Sequence, residues 1–139
     1  MIVQGQCTLF KQNLLNGLEN FAVDTPYVYR IALYTADAEL NAATLEYTTL
    51  NEVVGTGYVA GGEILVPIVP ASLNSTAYVS FNNAVWLTSS FLCRGALIYN
   101  DTTNAAVAVL DFGSDKTASG TFTVTFPPAT ATTAVMRIS

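Results

Sequence analysis

The clearest strand signal in this chain is the stretch Gly120-Thr121-Phe122-Thr123-Val124-Thr125-Phe126, in which three threonines alternate with two phenylalanines and a valine. Successive side chains of a β-strand point to opposite faces, so this period of two predicts a strand with one buried and one solvated face. Threonine and aromatic residues also favour strands. The stretch therefore predicts a β fold.

The same period of two occurs in residues 27–34, where Tyr27, Tyr29, Ile31 and Leu33 share one face. Further strands are predicted at residues 77–81, 85–87, 95–99, 105–112 and 134–138, with shorter ones at 44–48 and 53–58. Short strands at a spacing of about 8–12 residues favour two packed sheets. We therefore predict a single all-β domain over the whole chain, either a jelly roll or another two-sheet β-sandwich.

The one helical pattern begins at Thr8, whose hydroxyl is suited to cap the free amides of a first turn. Phe10, Leu14 and Leu18 then recur at every fourth position, which places them on one face of a helix. Gly17 suits the left-handed conformation in which many helices end. We therefore predict one short N-terminal helix that reaches Leu18.

Glycine, asparagine and proline mark the predicted turns. Gly61 and Gly62 predict a two-residue hairpin that leads into a strand at residues 63–69. Pro67 lacks the N–H that a central ladder needs, so this strand is predicted at a sheet edge or at a bulge. Residues 100–104 are predicted as a hairpin loop, 113–116 as a turn, and 37–44 as a loop or a single helical turn.

Charge is scarce in the chain, and histidine is absent. Five Lys plus Arg and ten Asp plus Glu make 11% of the 139 residues charged, against about 25% in a typical soluble domain. Such a surface is expected to be wetted by Thr, Ser and Asn or covered by other protein, which indicates an assembly subunit. Without histidine, Ser-His-Asp and Cys-His nucleophile systems are excluded within one chain, so catalysis is the weaker hypothesis.

Charge and hydropathy also argue against some classes of partner. The net charge is −5 and the five cations never cluster, so nucleic-acid binding is not expected. No apolar run approaches the roughly 20 residues of a membrane-spanning helix, and the N-terminus lacks a secretory signal. We expect a soluble protein that is made in a cytoplasm and needs no metal or cofactor. Cys7 and Cys93 lack CxxC spacing and are predicted to be free, buried thiols.

The ten carboxylates are scattered singly along the chain, so we interpret them as solvated loop and turn residues. Asp101, Asp111 and Asp115 carry the oxygen ligands that calcium prefers, but no EF-hand spacing accompanies them and turn chemistry explains them better. The run Asp111-Phe112-Gly113 is predicted to end a strand, with its phenylalanine in the core and its glycine opening a turn.

Glycines and aromatic residues offer two further candidate sites. Gly55 and Gly57 do not complete a dinucleotide-binding fingerprint, because the third glycine is misplaced and no helix follows, so they are predicted as hairpin glycines. Trp86 is predicted to lie in the core, as are most of the seven tyrosines. Tyr34 and Tyr58 are the best candidates for an exposed contact surface.

Three stretches carry a resemblance to a known family. They are Tyr29-Arg30-Ile31-Ala32-Leu33-Tyr34-Thr35-Ala36, Asn51-Glu52-Val53-Val54-Gly55-Thr56-Gly57-Tyr58 with Gly61-Gly62, and Arg94-Gly95-Ala96-Leu97-Ile98-Tyr99-Asn100 running to Leu110-Asp111-Phe112-Gly113. With these motifs the chain resembles the jelly-roll cement, or decoration, proteins of tailed-bacteriophage capsids. The likeness covers nearly the whole chain.

The resemblance implies a subunit that dimerises on the outer face of an HK97-type capsid and clamps neighbouring major capsid proteins without covalent cross-links. It implies a place in the virion after synthesis in the cytoplasm of a bacterial host. Its motifs are structural, so no functional residue is carried over from the family. The scarcity of charge agrees with a subunit that makes permanent contacts.

The residues themselves suggest two contact surfaces, because charge is scarce in both. One is the helix face of Phe10, Leu14 and Leu18, and the other is the strand that contains Pro67 and Ile68. The runner-up function is a carbohydrate-binding β-sandwich of a phage tail or fibre, which would need exposed co-planar aromatic rings beside Asp or Asn. A histidine-free glycosidase is third and would need two carboxylates about 5–10 Å apart in a groove.

Overall fold

The protein has an all-β fold of two antiparallel sheets with one short helix, and the computed structural model describes residues 1–22 and 24–139. The elements are β1 (Gly5–Gln6), α1 (Thr8–Leu15), β2 (Tyr29–Tyr34), β3 (Glu63–Leu65), β4 (Ala71–Leu73), β5 (Thr76–Val79), β6 (Ala84–Asn100), β7 (Ala105–Val124) and β8 (Met136–Ile138). One sheet has the strand order β1-β7-β6-β2-β3 and the other β4-β5-β8. The predicted all-β class is confirmed, whereas the jelly-roll connectivity stays a prediction.

One long hairpin, β6 and β7, forms the centre of the first sheet. Its strands pair from Asn100 opposite Ala105 at one end to Ala84 opposite Val124 at the other. The loop between them follows Asn100, as predicted, and Asn104 adopts the left-handed φ of 64° that tight loops use. The four short strands that the sequence predicted between residues 85 and 126 are therefore two long ones.

The turn predicted at residues 113–116 is wrong, because these residues lie inside β7. The register shifts so that residues 112–115 oppose Arg94 alone. Gly113 supplies a φ of 80° at this point, and Arg94 donates a hydrogen bond of 3.2 Å to Asp111 beside it. The local turn signal therefore produces a bulge within a strand instead of reversing the chain.

β3 is an edge strand, as predicted for the segment that contains Pro67. The strand ends at Leu65, after which the chain leaves the first sheet and Pro67 forms an antiparallel bridge with Phe81. The hydrogen bonds of that bridge are made by the residues on either side of Pro67. Its missing N–H therefore costs no ladder bond.

The hairpin predicted at Gly61 and Gly62 is wrong, because β3 pairs with β2 and not with the segment before the glycines. Gly62 donates a backbone hydrogen bond of 2.9 Å to the Val59 carbonyl, which closes a turn. A Cβ on Gly62 would lie 1.8 Å from the Ile31 carbonyl oxygen. The glycine is needed because two backbones approach closely there.

Helix α1 is shorter than predicted. Its N-cap is Cys7 instead of Thr8, and no side chain caps its first turn. Gly17, with a φ of 71°, ends the helix as predicted, and the Leu18 N–H bonds across it to the Asn13 carbonyl at 2.9 Å, as in a Schellman motif. Leu18 therefore lies beyond the helix. In the described part of the chain, no helix is long and apolar enough to cross a membrane.

One hydrophobic core joins the helix to both sheets. Phe10 of α1, Val79 of β5 and Met136 of β8 belong to the same buried cluster as the central strands. Phe21, just after the helix, stacks on Tyr29 of β2 with ring centroids 4.5 Å apart. The segment around residues 44–62 covers this core as a loop. The strands predicted at 44–48 and 53–58 form only isolated bridges, at Glu46 and Thr56, and a further bridge forms between them at Glu52.

Candidate functional site

Two long segments, residues 64–93 and 117–136, contain no Asp, Glu, Lys or Arg, and we call them the charge-free segments. The fold brings them together. Val79 of β5 pairs with Met136 of β8, and the first half of β6 pairs with the second half of β7. The two segments therefore form one connected region of the protein that is nearly without charge.

This region exposes large apolar side chains to solvent. Eight of the 18 exposed large apolar side chains of the described residues belong to it. They are Ile64, Val66, Ile68, Val69, Leu73, Val85, Leu87 and Leu92. Exposed apolar side chains that gather in one region often mark an interaction site, so this region is the candidate site.

The first half of β6 shows the alternation most clearly. Trp86 and Phe91 point inward and are 1% and 8% exposed, whereas Val85, Leu87 and Leu92 point outward and are 40–68% exposed. The paired half of β7 adds exposed threonine and serine to the outer face. This outer face combines apolar and hydroxyl side chains and carries no charge.

The loop around Gly55 and Gly57 runs along the edge of this half of β6 that faces away from β7, and its Tyr58 packs on the inner face against Trp86 and Phe91. Thr56 bridges Ser90 of β6, and a Cβ on Gly55 would lie 2.7 Å from the Ser90 carbonyl oxygen. Gly57 has a φ of 79° and approaches the same strand. These glycines allow the close approach of two backbones, so their prediction as hairpin glycines is wrong.

Of the four residues predicted to contact a partner, Phe10 does not reach the surface. It is 1% exposed and packs in the core against Phe21, with ring centroids 5.9 Å apart, so its prediction as a contact residue is wrong. Leu18 and Ile68 are 48% and 36% exposed. Leu14 is half-buried and lines an apolar groove of about 180 Å³ between α1 and the second sheet.

Glu52 is a buried carboxylate that the sequence had placed in solvent, and it is only 6% exposed. Its Oε1 accepts hydrogen bonds from the Tyr58 hydroxyl at 2.6 Å and the Gly61 N–H at 2.8 Å. Its Oε2 accepts one from the Tyr47 hydroxyl at 2.6 Å. These donors compensate the desolvated carboxylate, which thereby holds the covering loop together.

Glu19 is the second buried carboxylate, and it is 8% exposed. Its Oε2 accepts hydrogen bonds from the Tyr29 hydroxyl at 2.7 Å and from Asn100 Nδ2 at 3.2 Å, while its Oε1 is buried without a partner among the described residues. Burial raises the pKa of Glu19, and the hydrogen bonds offset part of the rise. This contact ties the segment after α1 to the end of the β6–β7 hairpin.

Sequence reasoning missed both carboxylates, and the interpretation of all ten as solvated is wrong for these two. The donors to Glu19 lie 10 and 81 residues away along the chain, so no local pattern announces them. Glu52 has tyrosines five residues before it and six after it. The hydroxyls of these two neighbouring tyrosines were the only sequence signal that Glu52 is buried.

The tyrosines do not form an exposed platform. Tyr34 and Tyr58 are 0% and 9% exposed, so their prediction as contact candidates is wrong, whereas Trp86 lies in the core as predicted. Burial raises the pKa of both tyrosines, and it raises the pKa of Tyr99 to about 12. Every Trp, Tyr and Phe ring of the chain is buried or half-buried.

Two of the three carboxylates considered for calcium, Asp101 and Asp111, are engaged in other contacts. Asp111 accepts hydrogen bonds from the Gly113 N–H at 2.9 Å and from Arg94 at 3.2 Å, and these two contacts lower its pKa. Asp101 pairs with Arg30 at 2.9 Å. Among the residues that the structure describes, no group of three or more Cys, Asp or Glu is placed to hold a metal ion.

Both cysteines are free and buried, as predicted. Burial raises the pKa of Cys7 to about 11 and that of Cys93 to about 12. The thiolate, which is the nucleophilic form, is therefore disfavoured at both positions. The two thiols fill space in the core.

The candidate functional site is the exposed surface of the charge-free segments, whose apolar and hydroxyl side chains are suited to binding. No known protein family, no curated protein and no solved structure matches the chain.

Proposed function

We propose that the protein is a non-enzymatic capsid cement subunit that binds the outer surface of an HK97-type bacteriophage capsid. The supporting observation is the exposed apolar surface of the charge-free segments. A charge buried in a contact without a partner costs free energy, and the cores of interfaces are depleted in charged residues. An uncharged apolar surface is therefore suited to a permanent contact with the major capsid protein.

The charge of the chain supports the outer capsid surface as its location in the virion. A net charge of −5 without a cluster of cations repels packaged DNA, which favours the outside of the shell over the inside. Many copies that each bridge neighbouring capsid proteins would sum modest contacts into large shell stability. The resemblance to cement proteins points to the same role and adds self-association to it.

The carbohydrate-binding alternative has less support. A sugar platform needs exposed co-planar aromatic rings, and every aromatic ring of this chain is buried or half-buried. The two buried carboxylates also lie in hydrogen-bonded clusters inside the protein instead of facing each other across an open groove. We therefore retain one proposed function.

Binding to capsids assembled without this chain tests the proposal. We expect the wild-type protein to bind such capsids at a fixed ratio to the major capsid protein and to raise the temperature at which they release DNA. Leu87→Asp, on the charge-free surface, should weaken binding by at least about tenfold, because burying a leucine contributes roughly 1.5–3 kcal/mol. Leu50→Asp is the matched control, since Leu50 is 72% and Leu87 68% exposed.

The possible outcomes test the proposed function and the proposed contact surface separately. If the wild-type protein does not bind the capsids, the proposed function is wrong. If wild type binds but Leu87→Asp and Leu92→Asp bind as well as Leu50→Asp does, the charge-free surface does not face the capsid. Circular dichroism of each variant establishes that it is folded before binding is measured.

A further inference from the structure

The outer edge of β7 is open in the second half of the strand. β7 pairs with β6 on one side, but on the other side β1 covers it only at Ala108 and Val109. From Thr117 to Val124, no strand of the described residues pairs with that outer side. Every second residue of an antiparallel strand turns its N–H and C=O away from its partner. This edge therefore presents a row of unpaired backbone groups.

The other sheet edges of the protein are short or protected. β1 has two residues, and β3, β4 and β8 have three each. The first half of β6, which β2 does not pair, is followed on its free side by the loop at residues 55–57, where Thr56 bridges Ser90. Edges are usually protected by proline, by charge, by a β-bulge or by short length. From Thr117 to Val124 the β7 edge contains neither proline nor charge. The stretch is irregular only near its centre, where Gly120 has a φ of 100° and the register with β6 shifts between Trp86 and Ser89.

We infer that this edge pairs antiparallel with the same edge of a second copy of the chain, about a twofold axis near Gly120. A strand edge is complementary to itself under such an axis, because each N–H then meets a C=O of the partner. The axis must be normal to the sheet, so residues on the same face become neighbours. Thr117 then lies opposite Thr123 of the partner subunit, and Ser119 lies opposite Thr121 of the partner subunit.

Side-chain size and polarity agree with this register. The outer face joins Thr117 and Ser119 to threonines of the second copy, and cross-strand pairs of hydroxyl residues stabilise sheets. On the inner face the small side chain of Ala118 lies opposite the half-buried Phe122 of the partner subunit. Small and large side chains therefore alternate across the junction.

The absence of charge along this edge permits a second copy as its occupant, and the self-complementary register favours it. Each copy carries a net charge of −5, so two copies repel unless they meet where charge is absent. The paired stretch contains no charge, and the two Lys116 residues would lie about 27 Å apart at about 3.4 Å per residue, beyond the Debye length of about 8 Å in physiological salt. A basic or acidic partner strand would find no opposite charge along this edge.

The experiment uses the full chain without capsids, so it tests the edge separately from the proposed function that includes self-association. Sedimentation equilibrium of the wild-type protein should show a reversible dimer. Thr121→Lys places two like charges diagonally across the junction and should raise the dissociation constant by about two- to fivefold. Ser90→Lys makes the same change on the same outer face one strand further in, and should leave the constant within about 1.3-fold of the wild-type value.

Charge reversal adds a positive test of the same position. Mixing Thr121→Lys with Thr121→Glu should restore association, because opposite charges then face each other across the junction. In hydrogen exchange of the wild-type protein, amides of residues 117–124 should become slower as the protein concentration rises. Circular dichroism establishes that each variant is folded.

Four results would overturn the inference. They are a wild-type protein that stays monomeric at millimolar concentration, Thr121→Lys dimers as tight as wild type, equal disruption by Ser90→Lys, and a mixture of Thr121→Lys with Thr121→Glu that does not associate. Equal disruption by the two lysines would place the contact on the face of the sheet instead of its edge.

Discussion

The carboxylate of Glu52 accepts a hydrogen bond of 2.6 Å from the Tyr58 hydroxyl, and both side chains are almost excluded from water. The same hydroxyl accepts a hydrogen bond of 2.9 Å from the Leu33 N–H on β2. This chain of contacts connects the loop over the inner face of the hairpin to a central strand. The Val53 N–H adds a second link between the loop and this strand, a hydrogen bond of 2.9 Å to the Leu33 carbonyl.

Tyr58→Phe should therefore lower the free energy of unfolding by about 1–3 kcal/mol, because it leaves the Leu33 N–H without its acceptor and Glu52 without one of its donors. Urea denaturation at neutral pH measures the change. Tyr78→Phe is the matched control, since the half-buried Tyr78 makes no side-chain hydrogen bond among the described residues and its loss should change little. Equal effects of the two substitutions would contradict this role of Tyr58.

Gly55→Ala should destabilise the protein by about 1–3 kcal/mol, because the added methyl group overpacks a closed space. Its Cβ would lie 2.7 Å from the Ser90 carbonyl oxygen and 2.9 Å from the Cβ of Phe91. Gly5→Ala is the control, since a Cβ there meets nothing within 4 Å. Thermal unfolding of both variants checks the prediction, which fails if Gly55→Ala melts at or above the temperature of Gly5→Ala.

The local patterns of the sequence predicted those elements whose cause is local. The alternation of threonine with Phe and Val in residues 121–126 places Val124 inside and its threonine neighbours outside, and Gly17 ends the helix. The same local signals misled at Gly113 and at Gly55. The positive φ of Gly113 serves a bulge, whereas the missing side chain of Gly55 allows a close approach to Ser90. Which of these occurs depends on the strand that lies opposite.

The sequence predicted that the functional site is a contact surface, but it did not predict where on the protein that surface lies. The low charge of the chain predicted a contact surface, and the two charge-free segments are visible in the sequence. The two segments are brought together by strand pairings such as that of Val85 with Thr123, which no local sequence pattern predicts. Phe10 was misplaced for a related reason. An apolar helix stripe has the same spacing whether it faces a partner or the chain's own core.

Phe10→Ala should lower the free energy of unfolding by about 3–5 kcal/mol, because it opens a cavity in the core. The matched control is Leu15→Ala in the same helix, because the Leu15 side chain is 90% exposed. That control should shift stability by less than about 0.5 kcal/mol. Denaturation by urea separates the two cases, and a mild effect of Phe10→Ala would place its ring outside the core.

Glu19 should make stability depend on pH in the direction opposite to that of an ion-paired carboxylate. Burial raises its folded-state pKa above the ordinary value of 4.5, so the folded chain binds this proton more tightly than the unfolded chain does. The free energy of unfolding contributed by this group therefore rises as the pH falls through the folded pKa, and the gain is complete below about pH 4.5.

Glu19→Gln isolates this contribution, because glutamine keeps an oxygen acceptor for Tyr29 and Asn100 but does not titrate. Asp111, whose pKa is lowered, acts in the opposite sense in both proteins and cancels in the comparison. Unfolding free energies measured from pH 7.5 to 4.5 should show the wild type gaining stability relative to the variant as the pH falls. Glu46→Gln, at an exposed position, controls for the loss of one carboxylate. A wild-type advantage that stays flat or grows with rising pH would show that the carboxyl of Glu19 is not buried in the folded protein.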